Sequence, residues 1–292
     1  MYCFIEAHSD EYAVQALCRV LKVSRSAYYS WQGQKAGIAV EKKNEVEQSI
    51  ISVFREHRRR YGVRRIAAEL KATEKIKAGM YTIRKIMKKH QLTAIQPRSF
   101  VPKTTDSRHP YPISPNLLLE RALPCRPDEV WVGDITYIPL LGGTYGYLAV
   151  WMDLYSRKIV GWHLEDNMKE ALIVQAFKKA LKSRSISEEL IIHSDRGGQY
   201  AGGKFRKLLP SKPSVLQSMS RADNPYDNAF MESCFSRFKT ELLQDGAFEN
   251  LQDANTEIFE YIEMYYNTKR RHSSLNYECP NNFEKNYYFY KT

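Results

Sequence analysis

The chain has 292 residues, 43% of them hydrophobic, and a formal net charge of +11, which suits two domains, or one core with appendages, and a polyanionic partner. Its five cysteines form no Cys-x-x-Cys pair or Cys/His cluster, which argues against a zinc site or a disulfide framework and favours free thiols in a reducing compartment. Because no stretch has the apolar length of a membrane span and the N-terminus lacks a signal-peptide core, we expect a cytoplasmic, nucleoid-associated protein.

The N-terminal residues show the apolar periodicity of short helices. We predict a helix over 11–21, with its apolar residues on one face, and a second helix over 25–31 that Ser24 caps. Residues 33–37 include two glycines and are predicted to break the helix. An N-terminal helical segment is therefore placed at 1–36.

A three-helix pattern follows, at 45–57, 63–73 and 81–90, and we assign it to a DNA-binding domain over 37–95. From 55 to 103 the chain has fifteen Lys and Arg residues against three Asp and Glu residues. A block of one sign indicates a face that contacts phosphates, although a solvated face of a basic bundle is the simpler alternative. The basic residues off the apolar positions, which we predict to bind DNA, are Arg64, Arg65, Arg84, Lys85, Lys88 and Lys89.

Residues 96–127 form a linker that holds seven of the chain's twelve prolines. Proline fixes φ and disfavours helix, so this segment is predicted to run extended and semi-rigid. Its basic residues Arg98, Lys103 and Arg108 offer contacts to a DNA backbone. The alternative is that the segment is only a spacer.

An α/β pattern occupies residues 128–245. Runs of β-branched and aromatic residues predict five strands. A helix at 168–182 follows the third strand, a short helix at 204–209 follows the fourth, and a helix that carries Glu232 follows the fifth. Three strands, helix, strand, helix, strand and helix is the order of an RNase H-like α/β fold. The predicted strands span 130–139, 145–153, 158–164, 190–194 and 215–219.

The C-terminal residues 246–292 are predicted to begin with a long helix over 251–267. Arg270 and Arg271 follow this helix, and we expect them to contact DNA. The aromatic residues at 287–290 are equally suited to packing the terminus.

Three acidic residues of the α/β region are candidates for chemistry. Asp134 lies in the middle of the first predicted strand, where a charge is costly unless something neutralises it. Asp195 follows directly after the buried strand 190–194, in an open turn before a glycine pair. Glu232 shares a helical stripe with Lys239, beside the apolar stripe of the same helix.

For Asp134 alone, a bulge, a sheet edge or a salt bridge is the simpler explanation. Three acids on the strand, strand end and helix of one region favour a shared site instead. Like charges brought together repel and raise each other's pKa, and a divalent cation removes that penalty. Carboxylate oxygens suit Mg²⁺ or Mn²⁺.

The sequence around these acids carries a specific resemblance. Its motifs are Gly-Asp-Ile-Thr-Tyr-Ile at 133–138, Met-Asp-Leu-Tyr-Ser-Arg-Lys-Ile-Val-Gly-Trp at 152–162, His-Ser-Asp-Arg-Gly-Gly-Gln-Tyr at 193–200, and Asp-Asn-Ala, Glu-Ser and Phe-Lys-Thr-Glu between 227 and 241. They closely resemble the retroviral-integrase-like core of bacterial insertion-sequence transposases, specifically the second reading frame, OrfB, of the IS-three family. The three-helix pattern resembles the helix-turn-helix-like segment that precedes this core in the family.

One departure from the family pattern is visible. The family usually has thirty-five residues between its last two acids, whereas 36 residues separate Asp195 from Glu232 here. We place the extra residue in a surface loop at 209–214. The flanking motifs are intact.

The resemblance implies that Asp134, Asp195 and Glu232 form an Asp-Asp-Glu (DDE) triad, both as catalytic residues and as ligands of two Mg²⁺ ions, with Mn²⁺ as a substitute. It implies a transposase that cleaves and joins DNA strands at the ends of an insertion sequence. The implied partners are double-stranded DNA (terminal inverted repeats and target), further copies of the chain, and a companion first-reading-frame protein or a frameshift fusion with it. Lys239 either holds a phosphate near the metal ions or is a plain surface lysine.

Two other functions compete with this one. The first is a DNA-binding regulator whose core has lost catalysis, against which the intact triad argues. The second is a ribonuclease acting on RNA–DNA hybrids, against which the basic helical domain argues. Two polar residues near the acids have two interpretations each. His193 either orients the site or, as the simpler alternative, fills a strand face, and Asn228 is either a ligand or, more simply, a helix-start residue.

Overall fold

The computed structural model describes residues 1–35, 38–96, 110–119, 121–209, 215–221, 225–243 and 246–291. The chain divides into two compact units, Met1–Ala94 and Ile95–Thr292. Within the described ranges, none of the helices has the length and apolarity that crossing a bilayer requires. All five cysteines are free thiols.

The described part of the first unit is helical. The predicted Ser24 cap is confirmed, because the Ala27 N–H donates to Ser24 Oγ at 3.0 Å. The predicted break at 33–37 begins too early, since a helix continues through Gly33, and a glycine inside a helix costs only about 1 kcal/mol. The helices are α1 Tyr2–Ala7, α2 Val14–Val20, α3 Arg25–Lys35, α4 Ile38–Glu56, α5 Val63–Thr73 and α6 Met80–Lys89.

Helices α1, α2 and α4 differ most from the sequence prediction, and α2 begins at Val14, three residues after the predicted start at residue 11. Helix α1 was not predicted: its Ile5 is buried with Cys18 and Tyr28, a tertiary contact that six residues of periodicity cannot reveal. Helix α4 begins seven residues before the predicted start at residue 45. Its first turns are rich in Lys and Glu, which favour helix without adding to the apolar pattern.

Helices α4, α5 and α6 form one core, as the three-helix pattern predicts. Ile50, Leu70 and Ile83 are fully buried between them. Helix α5 has the predicted bounds, and α6 begins and ends one residue earlier than predicted. Each helix therefore turns its apolar stripe inward and leaves its basic residues for the opposite face.

The second unit is built on a five-stranded sheet with the order β3-β2-β1-β4-β5. The first three strands are antiparallel, and β1–β4 and β4–β5 are parallel. Four strands have the predicted bounds, and β3 starts and ends one residue later. The strands are β1 Val130–Pro139, β2 Tyr145–Asp153, β3 Ile159–Glu165, β4 Leu190–Ser194 and β5 Val215–Met219.

Helices cover both faces of this sheet. On one face α7 approaches β3 so closely that a Cβ at Gly161 would stand 2.5 Å from the carbonyl oxygen of Ala176. The predicted long helix at 251–267 is α-helical at first and π-helical at its end. The helices are α7 Glu170–Ser183, α8 Gly198–Ala201, α9 Gly203–Leu208, α10 Ala229–Leu243, α11 Leu251–Phe259 with the π-helical segment Glu260–Tyr266, and α12 Pro280–Lys291, with 3₁₀ turns at Leu141–Gly143, Pro225–Asn228 and Ser273–Leu275.

The two faces have separate apolar cores. Trp131 and Phe177 belong to the core under α7, α8 and α9. Val132 and Phe238 belong to the core under α10 and α11. Side chains alternate along a strand, so neighbouring residues of β1 serve different cores.

Part of the proline-rich linker packs against the sheet. The N–H of Leu117 donates to Ser218 Oγ at 2.8 Å, and the N–H of Met219 donates to the carbonyl oxygen of Pro115 at 3.3 Å. The interpretation of the linker as only a spacer is therefore wrong for this stretch. Arg98, Lys103 and Arg108 lie outside the described residues.

The C-terminal helix α12 is fastened by a buried carboxylate, Glu284. Ser156 Oγ donates to this carboxylate at 2.6 Å, Lys158 Nζ at 3.3 Å and Arg184 Nη1 at 2.9 Å, and Arg184 Nη2 donates to its second oxygen. Tyr287 packs its ring 5.5 Å from that of Tyr155. The expected packing of the terminal aromatic residues is thus confirmed for Tyr287.

The turn after β2 depends on a buried acid, Asp153. Its carboxylate accepts from the N–H groups of Asp128 (2.7 Å), Tyr155 (3.0 Å) and Ser156 (2.8 Å). An amide at this position would present a donor where the backbone supplies donors already. Asp153 thus supports the fold.

We expect Asp153→Asn to lower the free energy of unfolding by about 1–3 kcal/mol, because a buried donor is left without an acceptor. Urea unfolding would measure this at about pH 8, since burial raises the pKa of Asp153 to about 6 and the carboxylate is then ionised. The exposed Asp166→Asn variant is the matched control and should unfold like wild type. Equal stability of all three proteins would contradict this role.

Candidate active site

The pairing of β1 with β4 brings two of the candidate acids together. The register aligns Val132 of β1 with His193 of β4. Asp134 lies two residues after Val132, and Asp195 lies two residues after His193, directly after the end of β4. Neighbouring strands lie about 4.8 Å apart, and side chains two residues apart share a face. Asp134 and Asp195 therefore leave the sheet side by side, on the face that α10 covers.

The electrostatics of Asp134 reflect this crowding. Burial, and next the negative charge of Asp195, raise the pKa of Asp134 well above its ordinary value, and Glu232 raises it further. In the opposite direction, the N–H of Ile135 donates to Asp134 Oδ1 at 2.8 Å, and the Lys239 charge also favours the carboxylate. The structure thus places Asp195, Glu232 and Lys239 within electrostatic reach of Asp134.

Helix α10 supplies the third acid from the border between core and solvent. Met231, Phe235 and Phe238 are buried against the sheet, whereas Glu232 is exposed in the first turn. This is the border position that the two stripes of the sequence predict. Lys239 is half-buried two turns later; burial lowers its pKa, and the charge of Asp134 raises it.

The turn after β4 holds Asp195 in place. The N–H of Gly197 donates to Asp195 Oδ1 at 3.0 Å, which ties the carboxylate to its own loop. Burial raises the pKa of the Tyr200 phenol well above its ordinary value, and the charges of Asp134 and Asp195 raise it further. Sequence analysis did not single out Tyr200, and only its place five residues after Asp195 hints at this proximity.

The donors of this site suit a hard divalent cation in their chemistry. They are carboxylate oxygens, and a bound cation would offset the burial and the negative charges that raise the pKa of Asp134. Across the described part of the chain, however, no group of three or more His, Cys, Asp or Glu side chains is drawn close enough to hold a metal ion. Asp195 and Glu232 thus affect Asp134 electrostatically, but the three carboxylates do not converge closely enough to coordinate one ion.

His193 and Asp227 both make several hydrogen bonds near the start of α10. His193 is fully buried and hydrogen-bonded through both ring nitrogens. Asp227 accepts from the Asn116 amide at 2.9 Å and from the Arg221 N–H at 2.8 Å. Asn228 lies at the end of a 3₁₀ turn immediately before α10, as expected of a helix-start residue.

In the first unit, helix α6 presents the predicted basic face. Arg84, Lys85 and Lys88 are exposed and share a helical stripe with Tyr81, whose side chain is 76% exposed. Lys89 is also exposed, but its Nζ lies 2.6 Å from Glu47 Oε1. The stripe thus offers three cations beside one aromatic ring.

The two predicted arginines of α5 differ in their exposure. Arg64 is exposed, whereas Arg65 is half-buried, with Nη1 donating to the carbonyl oxygen of Arg60 at 3.2 Å. The Arg65 guanidinium also lies over the Tyr61 ring, 5.7 Å from its centroid. Arg65 therefore supports its own helix as well as offering charge.

The expected DNA contact by Arg270 is wrong. Its side chain is 2% exposed, and Nε and Nη2 each donate to the Glu241 carboxylate at 2.7 Å. The Tyr261 hydroxyl donates to the same carboxylate at 2.8 Å. Arg270 is a buried ion-pair residue that joins the C-terminal region to α10, while Arg271 is half-buried and donates to the carbonyl oxygen of Tyr277.

We expect Arg270→Met to lower the free energy of unfolding by about 3–5 kcal/mol, because it leaves the Glu241 charge buried without its partner. The double variant Glu241→Gln with Arg270→Met should recover most of this loss, since no charge then remains buried and the amide oxygen still accepts from Tyr261. Arg271→Met is the control and should have little effect. Chemical unfolding of the four proteins measures these differences.

The double variant also tests whether Arg270 contacts DNA. The salt dependence of DNA binding by Glu241→Gln with Arg270→Met should match that of wild type. A salt slope reduced by about 1 in this variant would show that Arg270 contacts a phosphate after all.

Comparison with known protein families agrees with this architecture. The description "Integrase core domain" matches residues 124–225 and, in a second form, residues 214–280. The description "HTH-like domain" matches residues 41–100. Together with the strand order of the sheet, these matches confirm the predicted RNase H-like core and the helix-turn-helix-like region before it.

The alignments with two named relatives span nearly the full length of each relative. The chain is 41% identical over 248 residues to the transposase for insertion sequence element IS904 of Lactococcus lactis, covering 83% of this chain and 96% of that one. It is 34% identical over 285 residues to transposase InsF for insertion sequence IS3A of Escherichia coli, covering 97% and 98%. A solved structure of the HTLV-2 integrase catalytic core domain aligns at 18% identity and a TM-score of 0.42, covering 55% and 98%. On its sequence relatives, this chain belongs to the IS-three family of insertion-sequence transposases and acts in DNA transposition.

Proposed function

We propose that this chain cleaves DNA strands at the ends of a bacterial insertion sequence and joins them to target DNA, with Asp134, Asp195 and Glu232 as the catalytic acids. The observation that carries the proposal is the β1–β4 register, which sets Asp134 beside Asp195 under the helix that bears Glu232. The raised pKa of Asp134 fits a site built for added positive charge.

Asp134, Asp195 and Glu232 would hold Mg²⁺, with Mn²⁺ as a substitute and two ions per site. When bound, such ions stabilise charge on the reacting phosphate and favour deprotonation of the attacking oxygen. The charges of Asp195 and Glu232 both act on Asp134, so Asp134 is the natural ligand for the two ions to share. Lys239 supplies a positive charge near Asp134 and is suited to holding a phosphate oxygen of the bound strand.

The reaction consists of two phosphoryl displacements. In the first, water attacks a phosphodiester at the element end, and the bond to the 3′ oxygen breaks, which frees a 3′ hydroxyl. In the second, this hydroxyl attacks a target phosphodiester, and the target's own 3′ oxygen leaves. No covalent link to the protein forms, so no tyrosine is required as a nucleophile.

The helix-turn-helix-like region is proposed to bind double-stranded DNA, both the terminal repeats and the target. The exposed stripe of α6 supports this, because phosphates attract a face of one charge and recognition helices present such a face to the groove. Lys85 and Arg84 are its central cations. Arg64 and Arg65 extend the positive charge on α5.

We further propose that the active form is an oligomer on DNA. Efficient transposition would use a companion first-reading-frame protein, or a fusion with it. The support is that the exposed cations of α6 suit phosphates, and phosphate contacts position a protein without specifying a sequence. A companion polypeptide would then add base recognition and contacts between copies.

A regulator that binds DNA without cutting it is the second candidate. It would bind element ends normally and show no cleavage in Mg²⁺ or Mn²⁺. A ribonuclease would instead cut the RNA strand of an RNA–DNA hybrid in preference to duplex DNA. One set of labelled substrates separates the three functions.

The catalytic assignment predicts that Asp134→Asn, Asp195→Asn and Glu232→Gln each abolish cleavage and joining while duplex binding persists. An amide keeps the shape of the side chain but loses the charge that holds a cation. Labelled element ends in Mg²⁺ and in Mn²⁺ measure the reaction, and calorimetry without DNA measures metal binding. Glu260→Gln, an exposed acid of the π-helical segment, is the control and should stay fully active.

The activity of wild type should also vanish with a chelator and return when Mg²⁺ is added back. Normal metal-dependent joining by any one of the three amide variants would remove that residue from the site. Cleavage that survives chelation would overturn metal dependence for the whole reaction.

The DNA-binding assignment predicts that replacing Arg84, Lys85 and Lys88 together by Ala flattens the dependence of binding on salt. Each lost phosphate contact removes a slope of about 0.9, so the change should approach about 3. A triple Ala variant of Lys71, Lys75 and Lys77 makes the same change in charge elsewhere on the first unit. Equal flattening by both variants would show that overall charge, and not the α6 face, determines the slope.

A further inference from the structure

We propose that His193 is a positioning residue that couples the strand bearing Asp195 to the helix bearing Glu232 through a chain of hydrogen bonds. The inference deepens the proposed function and rests on it for the identity of the two acids. It does not rest on it for the coupling itself, which is a property of the fold.

The contacts of the His193 ring join three segments. Nδ1 lies 2.8 Å from Ser218 Oγ, at the fourth residue of β5. Nε2 lies 3.0 Å from the carbonyl oxygen of Asp227, two residues before α10 begins. Nε2 also lies 3.2 Å from Ser220 Oγ, and the ring is completely buried.

For a neutral ring, these partners allow one arrangement of protons. A carbonyl oxygen only accepts, so Nε2 must carry the proton that is donated to Asp227. Nδ1 then has a lone pair and accepts from the Ser218 hydroxyl. That hydroxyl in turn accepts from the N–H of Leu117 at 2.8 Å, and each donor in the chain has an acceptor.

The neutral ring that this arrangement requires agrees with its surroundings. Burial lowers the pKa of His193 to about 4, although the hydrogen bond to the carbonyl oxygen of Asp227 opposes this shift. The ring is therefore uncharged at neutral pH.

The location of the relay gives it a functional consequence. His193 precedes Asp195 by two residues, and Asp227 precedes Glu232 by five. The side chain of Asp227 is itself fastened, since Asn116 Nδ2 donates to Oδ2 at 2.9 Å and Arg221 Nη2 donates to Oδ1 at 3.2 Å. The His193 imidazole thus bonds the strand that precedes Asp195 directly to the segment before the Glu232 helix.

Simple packing is the competing explanation, and it predicts different behaviour. A filler can be replaced by another ring of similar size without moving its neighbours relative to each other. A positioning residue cannot, because the carbonyl oxygen of Asp227 would lose its donor and the segment before α10 would be free to shift. Residues that orient metal ligands from behind typically change metal affinity by about 10- to 100-fold.

The test compares His193→Phe, His193→Gln and Ser218→Ala with wild type in the full chain. His193→Phe keeps the bulk and removes both hydrogen bonds. His193→Gln keeps a donor at the reach of Nε2. Ser218→Ala removes the donor to Nδ1 together with the acceptor of the Leu117 N–H. His163→Phe is the matched control, because His163 lies on β3, at the far edge of the same sheet.

Hydrogen exchange and the metal requirement are compared for each protein. Hydrogen exchange reports the opening of the first turn of α10 and of residues 195–199. Titration of cleavage with Mg²⁺ gives the concentration for half-maximal rate, and Mn²⁺ binding without DNA is measured by calorimetry. We expect His193→Phe to speed exchange in these two segments selectively and to raise the half-maximal Mg²⁺ concentration at least about tenfold.

Ser218→Ala should show a smaller change of the same kind, and His193→Gln should fall between it and wild type. Wild-type exchange and metal requirement in all three variants would overturn the coupling, as would faster exchange spread evenly over the sheet with an unchanged metal requirement. If His193→Phe does not fold, His193→Gln and Ser218→Ala decide by the same two criteria. Should wild type itself show no metal-dependent cleavage, the proposed function fails, whereas the exchange pattern still tests the coupling.

Discussion

The second unit depends on one electrostatic constraint, the placement of two carboxylates side by side in a nearly apolar sheet. Asp134 stands in the central strand of the sheet, paired with Val150 of β2, so it cannot turn away without breaking that pairing. Parallel pairing then sets Asp195 next to it. Burial, together with the resulting repulsion, raises the pKa of Asp134. The surrounding structure has to hold the two carboxylates together against this repulsion.

Acids elsewhere in this unit are treated differently by the fold. Glu284 is matched by Arg184 and Lys158, and Glu241 is matched by Arg270. Among the described contacts, the side chain of Asp134 receives a hydrogen bond from one backbone N–H and faces two further acids. Glu284 and Glu241, whose charges are balanced by ion pairs, therefore support the fold. Asp134, whose charge is balanced less well, marks where chemistry is expected.

The sequence predicted what local pattern decides. Strands β1, β2, β4 and β5 have the predicted bounds because their apolar runs are bounded by strong turn signals. The contacts of His193 and Arg270 could not be predicted, since their partners lie 25 to 34 and 29 residues away along the chain. From the sequence, His193 was interpreted as filling a strand face and Arg270 was expected to contact DNA, because neither partner was visible before the tertiary fold. The types and positions of the three acids came from the sequence, and their catalytic roles remain a prediction.

The Glu241–Arg270 pair also limits how this sequence can evolve. Losing either partner leaves a bare charge in the core, so single substitutions at these positions pass through a destabilised intermediate. Viable change therefore requires both codons to alter nearly together, or a prior gain of stability elsewhere. Over long divergence the two positions should drift as a unit, which makes the junction between α10 and the C-terminal region one of the slowest parts of the fold to change.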